Sequence, residues 1–206
     1  MSVRLKTYPY GPLGSNMYAV FSDTAFIIVD PSVSPSRVDT ELELKAIFIT
    51  HGHFDHFAAL NEWIVMYPSV PVYVHDDDAL CIGSSADNLS RDFGMSYEVA
   101  YAPKSLDEVK GKYILDSLVF DYYHTPGHSK GSCCLSLTDN DHKFLFTGDM
   151  LFAGSIGRTD FPGSSVSDMR SSIDLLKGIE VAYEVYPGHG PATILQREIN
   201  TNPFFY

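Results

Sequence analysis

Thr50-His51-Gly52-His53-Phe54-Asp55-His56, residues 50–56, decides how this chain folds. Four metal-capable side chains fall within six residues. They follow the apolar run 46–50, which reads as a strand. They precede 57–66, where Leu60, Trp63 and Ile64 recur at helical spacing. A loop between a strand end and a helix can turn several side chains inward at once. His51 and His53 can reach one ion, and Asp55 and His56 another. Gly52 is expected where the backbone bends tightly. Several histidines packed beside an aspartate without a cation would leave buried polar groups unpaired and like charges crowded.

Three later fragments are built alike, each with a strand end, then a glycine, then a ligand type. They are Thr125-Pro126-Gly127-His128, Thr147-Gly148-Asp149 and Tyr186-Pro187-Gly188-His189. Imidazole nitrogens and carboxylate oxygens suit two divalent ions, zinc first, with iron or manganese as alternatives. His75, His124 and His142 lack the glycine-led setting. His75 opens the acidic run Asp76-Asp77-Asp78, which is expected to cap a helix and face solvent. His142 lies in a polar turn, and His124 reads as a half-buried strand histidine.

Outward from these fragments, short apolar runs alternate with turn residues. Strands are predicted at 17–21 and 25–29 around Ser22-Asp23-Thr24, then at 46–50, 70–74, 113–124, 133–137, 144–147 and 181–186. Helices are predicted at 57–66 and near 76–81. Another follows Ser164-Ser165, with Val166, Met169, Ile173 and Leu176 on one stripe, and the last is at 192–200. Strands and helices in both halves predict an α/β fold with two packed sheets and helices outside them. The length of 206 residues fits a single domain spanning 1–206.

Composition excludes several classes. The net charge of -12, with no compensating Lys/Arg cluster, disfavours nucleic acid, whose phosphates need a basic face. No apolar stretch approaches the length of a membrane span, and the first residues lack a signal-peptide run. A cytoplasmic location is expected, with Cys81, Cys133 and Cys134 as reduced thiols. Cys133 and Cys134 read as core residues within a strand. Asn88-Leu89-Ser90 matches a glycosylation acceptor by chance. The oligomeric state is not legible in the sequence.

The ordered set HxHxDH, PGH, GD and PGH resembles the metallo-β-lactamase superfamily over nearly the whole chain. Within it, the chain is similar to the glyoxalase II-like hydrolases, particularly the short bacterial form. Gly157-Arg158-Thr159-Asp160-Phe161-Pro162-Gly163 and Pro187-Gly188-His189-Gly190-Pro191 match that subgroup, as does Asn202-Pro203-Phe204. The resemblance implies an αββα four-layer sandwich. It gives His51, His53 and His128 to one metal, Asp55, His56 and His189 to the other, and Asp149 to both. Asp30, closing 27–29, resembles the family's aspartate that orients a ligand histidine. Its other reading is a strand-ending turn residue before Pro31. The helical C-terminal domain that grips glutathione in full-length glyoxalase II enzymes is expected to be absent. Arg158 sits where those enzymes place a substrate-binding basic residue; an ion pair with Asp160 is the alternative.

The reaction so implied is hydrolysis of a small thioester, such as S-D-lactoylglutathione, by a metal-bridging hydroxide, with Asp55 orienting it and accepting its proton. A thiolate leaves without a strong acid. Asp149 stands where the commonest secreted zinc β-lactamases have cysteine, which disfavours that activity. Rivals are an iron-dependent persulfide dioxygenase of the same fold and a lactonase. The dioxygenases usually carry Ala-His-Asp at the last histidine, where this chain has Gly188-His189-Gly190. Gly127-His128-Ser129-Lys130-Gly131 also matches the G-x-S-x-G nucleophile elbow. That elbow needs a helix directly after Ser129, and 133–137 reads as strand.

Overall fold

The computed structural model describes residues 3–206, apart from the side chains at 113 and 114. One six-stranded sheet has the order β1 (Arg4–Tyr8), β2 (Met17–Phe21), β3 (Ala25–Val29), β4 (Glu43–Phe48), β5 (Val72–Val74), β6 (Lys104–Ser105). Its first three strands are antiparallel, and β3 to β6 run parallel. The second sheet comprises β7 (Tyr113–Leu115), β8 (Leu118–His124), β9 (Cys133–Thr138), β10 (Lys143–Gly148), β13 (Glu184–Pro187) and β14 (Thr193–Ile194). Its spatial order is β14-β13-β10-β9-β8-β7. A small hairpin of β11 (Leu151–Phe152) and β12 (Ser155–Ile156) lies between β10 and β13 in sequence.

Strand alternation sorts the apolar side chains into three layers. In β2 and β3, Met17, Ala19, Phe26 and Ile28 face outward onto Leu60 and Trp63 of α1 (Leu60–Met66). The intervening Tyr18, Val20, Ile27 and Val29 face the second sheet, meeting Leu135, Leu137, Phe144 and Phe146. On that sheet's far side, Cys134 and Leu145 pack under α2 (Val166–Lys177) and α3 (Leu195–Thr201) through Met169, Ile173, Leu176 and Leu195. Because β2 and β3 are covered on both faces, they read as continuous apolar runs. This is the αββα sandwich that the sequence resemblance implied. Among the described residues, no helix is long and apolar enough to cross a membrane.

Several expectations need correction. The predicted strand 113–124 is a hairpin, β7 and β8, with Asp116 at φ 45 in its turn. The predicted helix near 76–81 is a 3-10 helix, Asp76–Gly83. The helical pattern from 57 begins as an α-helix only at Leu60, after a 3-10 turn at Phe54–His56. Val166 is half exposed, so the buried stripe of α2 starts at Met169 and gains Ser172. Strands β1, β6, β11, β12 and β14 were not predicted: β1 has only one buried residue, and the others have two residues each, too short for a period.

Candidate metal centre

Strand direction gathers the site. β8 is antiparallel to β9, β9 to β10, and β10 is parallel to β13, so β8, β10 and β13 point the same way. The segments leaving their carboxyl ends carry His128, Asp149 and His189. In the other sheet, β3 and β4 are parallel, and their carboxyl ends carry Asp30 and the loop 50–56. In open α/β sheets, ligand sites gather beyond such ends. Here the ends of two sheets face each other.

All seven predicted ligands come together. Donor atoms of His51, His53 and His128 lie within 4.8 Å of one another, as do those of Asp55, His56 and His189. His51, His56 and Asp149 form a third such group. The Asp149 carboxylate spans the cluster: Oδ1 is 3.3 Å from His56 Nε2, and Oδ2 is 3.5 Å from both His128 Nε2 and His189 Nε2. Asp55 Oδ2 lies 3.3 Å from His189 Nε2.

The outer nitrogens fix the tautomers. Thr50 Oγ1 donates its one proton to Asp30 Oδ2 (2.8 Å), so it accepts from His51 Nδ1 at 3.1 Å. His56 Nδ1 donates to Asp30 Oδ2 at 2.8 Å, and His128 Nδ1 to the Arg158 carbonyl at 2.9 Å. Each Nε2 therefore presents a lone pair inward. Nε2 of His51 and of His56, and Oδ1 of Asp149, are buried with no hydrogen-bond partner. His53 Nδ1 and His128 Nε2 approach to 2.9 Å, a distance that needs a proton or a cation between them. Unpartnered donor atoms converging in this way fit two divalent ions.

Electrostatics agree for His51 and His53. Burial, then the neighbouring His56 and His53, push His51 well below its ordinary value. Burial and His128 push His53 down to about 3. Both are thus neutral lone-pair donors. His56 differs: burial opposes its charge, but Asp55, Asp149 and Asp30 outweigh burial and raise that imidazole well above its usual value, so without a cation its Nε2 holds a proton that a metal ion must displace. Burial likewise opposes charge on Asp149, and His56 and the other histidines outweigh it, keeping the carboxyl ionised.

Glycine 188 shows how tight the packing is. A Cβ there would sit 2.2 Å from Asp149 Oδ1 and 2.5 Å from His56 Cε1. Gly52 was expected at a tight bend. The structure gives another reason: a Cβ would meet Cys81 Cβ at 2.6 Å.

Other residues fall outside the cluster. Arg158 makes a two-pronged pair with Asp160 at 2.8 Å, and its guanidinium lies 4.2 Å from the Phe161 ring centre, at the mouth of the site. Ser129 Oγ donates to Asp78 Oδ2 at 2.6 Å and has no histidine partner, and β9 follows it, so the elbow is a decoy. Burial pushes the Cys133 and Cys134 thiols up, consistent with core residues. The cap expected of the acidic run is His75 itself, which accepts from Asp77 N and stacks on His124 at 4.0 Å, with Asp76–Asp78 in the first turn of the 3-10 helix. Asp78, however, does not face solvent. It is buried and accepts from Gly52 N, Gly131 N and Ser129 Oγ. Asn88 is buried, bonding to the carbonyls of Cys81 and Tyr97.

Two sets of site residues escaped the sequence reading. Ser15 Oγ donates to the Asp55 carbonyl (2.7 Å), and Asn16 N to the Gly188 carbonyl (2.7 Å), so one N-terminal turn braces two ligand loops. An apolar wall of Leu13, Leu89, Phe93, Phe152 and Phe161 lines the cleft above the ligands. No spacing rule marks either set, since the residues in each have no shared helical or strand period and meet their partners only across distant parts of the chain.

Comparison with known proteins places the chain. The family model described as the metallo-beta-lactamase superfamily matches residues 10–189. A probable metallo-hydrolase of Streptococcus pyogenes serotype M6 is 35% identical over 94% of this chain and 86% of its own length. The hydroxyacylglutathione hydrolase GloC of Haemophilus influenzae is 30% identical over 86% of this chain and 85% of its own. Among solved structures, the B3 metallo-beta-lactamase BLEG-1 superposes with a TM-score of 0.86 at 32% identity, covering 98% of this chain and 99% of that one. TTHA1623 in a di-iron-bound form gives 0.81 at 33% identity, covering 97% and 99%. With the family match spanning most of its length and seven His and Asp ligands converging at the strand ends, the chain belongs to the metallo-beta-lactamase superfamily.

Proposed function

We propose that this metal-dependent hydrolase cleaves a small thioester. The observation that carries the reading is the complete, tautomer-fixed ligand cluster opening on a cleft beside Asp55. Support for the thioester comes from the hydroxyacylglutathione hydrolase among the relatives and from a leaving thiolate's small need for an acid. Two divalent ions, when bound, supply Lewis acidity that acidifies water and polarises a carbonyl.

The chain's own residues do the rest. His51, His53 and His128 form one donor group and Asp55, His56 and His189 the other, with Asp149 facing both. Asp55 borders the cleft, with Oδ2 3.3 Å from His189 Nε2, and in this reading its carboxylate holds a proton taken from water. Its carboxyl stays ionised because His56 and the hydrogen bond from His189 outweigh its burial. For Arg158 to take a substrate carboxylate in a two-pronged grip, it must leave Asp160.

A second reading is an iron-dependent persulfide dioxygenase of the same fold; the di-iron-bound relative supports only its metal, showing that a related site holds iron. One experiment separates the two. Protein purified without added metal is analysed for metal content, then assayed on a thioester panel (S-D-lactoylglutathione and alkyl and aryl thioesters), an oxygen ester and a lactone, and for oxygen uptake on glutathione persulfide. The expected result is thioester turnover that is lost, together with bound metal, in His53→Ala. Oxygen uptake with no thioester turnover, or brisk lactone turnover alone, refutes the thioester assignment.

A further inference from the structure

The cleft over the ligand cluster has a volume of about 300 Å³. Its floor is made of metal-ligand side chains, and its walls are apolar. Phe161 packs edge-on against His53 and His128 at 5.5 and 5.8 Å, and Phe152 against His189 at 6.1 Å. Phe93 leans on buried Phe54 at 5.5 Å while remaining 49% exposed, and Leu13 is 59% exposed. Water-facing apolar side chains converging on one small cleft are the usual lining of a small-molecule site.

Backbone conformation supplies a separate observation. Among the described residues, four non-glycine residues lie in the left-handed region: Leu13 (φ 57), Asp30 (φ 53), Leu89 (φ 67) and Asp116 (φ 45). Three of them belong to this site. Asp30 holds His56, and both leucines line the cleft. A leucine is strained there, and glycine would relieve the strain. Strain of this kind is found where the side chain is needed in place.

Charge completes the case. Arg158 is the single Lys or Arg among the lining residues, and Asp160 already neutralises it. The chain as a whole carries -12. Glutathione would bring two carboxylates and an ammonium against apolar walls, where the one Lys or Arg side chain, Arg158, is already paired, and the metal ions on the floor are taken up by the reacting group. We infer that the group seated in this cleft is uncharged and apolar, an aliphatic or aryl portion of the substrate, in place of the charged body of glutathione.

The inference rests on the thioester reading only for the reacting bond, so its first test reads binding without turnover. Titration calorimetry on the metal-loaded protein compares benzyl mercaptan with glutathione, which share a thiol and differ in the body attached to it. Benzyl mercaptan is expected to bind about tenfold more tightly or better. Phe93→Ala and Leu13→Ala, at exposed positions outside the core, are each expected to weaken benzyl mercaptan severalfold and to leave glutathione within twofold. Glutathione binding as tightly as benzyl mercaptan, or truncations that weaken both alike, would overturn the inference. Matched S-benzyl and glutathione thioesters of one acyl group are then compared by kcat/KM. Benzyl mercaptan preference without thioester turnover removes the thioester reading and keeps the apolar cleft. Thioester turnover with glutathione preferred in binding does the reverse.

Discussion

Asp30 joins three donors that face the ligand cluster: the Thr50 amide, the Thr50 hydroxyl and His56 Nδ1, each at 2.8 Å. One carboxylate thereby sets the direction of His56 and, through Thr50, of His51. A carboxamide can accept at only one of its two atoms, so Asp30→Asn turns an N–H₂ toward donors. Substitutions at such positions typically cost 10–100-fold in metal affinity. Asp30→Asn is therefore expected to lose affinity by about that factor, read by competition against a chromophoric chelator. Unchanged affinity would mean that the aspartate merely ends a strand. Both readings of Asp30 were visible in the sequence. The left-handed backbone and the three convergent donors, which choose between them, were not.

At the level of elements, the loops that carry the ligands are held by parts of the chain that carry none. The 3-10 helix Asp76–Gly83 brings Asp78 between Gly52, in the His51–His53 loop, and Ser129 and Gly131, beyond His128. Helix α2 does similar work on the other side: Ser172 Oγ donates to the Pro126 carbonyl at 2.7 Å. Asp78→Ala strands two buried amides, and an unpaired buried donor costs about 1–3 kcal/mol. A loss of about 3 kcal/mol corresponds to a fall of about 6–12 °C in a chain of this size. Weaker metal binding should accompany it, since both ligand loops lose their shared anchor. Scanning calorimetry and metal titration check this, and a variant with wild-type values in both would refute the anchoring role. An acidic triplet after a strand reads as an exposed cap, and nothing in its spacing shows which member turns inward.

For the molecule as a whole, the ligand cluster ties two half-sandwiches together. His51, His53, Asp55 and His56 leave the first sheet, and His128, Asp149 and His189 leave the second. Without cations, the unpartnered lone pairs and crowded imidazoles weaken that seam. Ions that bind only the folded chain add RT ln(1 + [L]/Kd), about 2.7 kcal/mol at a hundredfold excess over Kd. Chelation is expected to lower the thermal midpoint by about 5–10 °C, with recovery on adding back zinc. A midpoint indifferent to chelator would place the ions outside the folding equilibrium.

The sequence by itself determined the ligand types, their order and the sandwich. HxHxDH and the three glycine-led fragments are local patterns, and the buried strands announce themselves by apolar runs of five or six residues. The helix stripes, with Trp63 on one and Met169, Ile173 and Leu176 on the other, are periodic in the same local sense. Only the tertiary structure decided what holds and surrounds those ligands. Asn16 meets Gly188 across the sandwich, Asp78 meets Gly131, and the cleft wall draws Leu13, the Leu89–Phe93 turn, Phe152 of β11 and Phe161 from four distant parts of the chain. Periodicity constrains residues that share an element. Residues brought together by loop closure share no period, so their partnership exists only once the two sheets have packed.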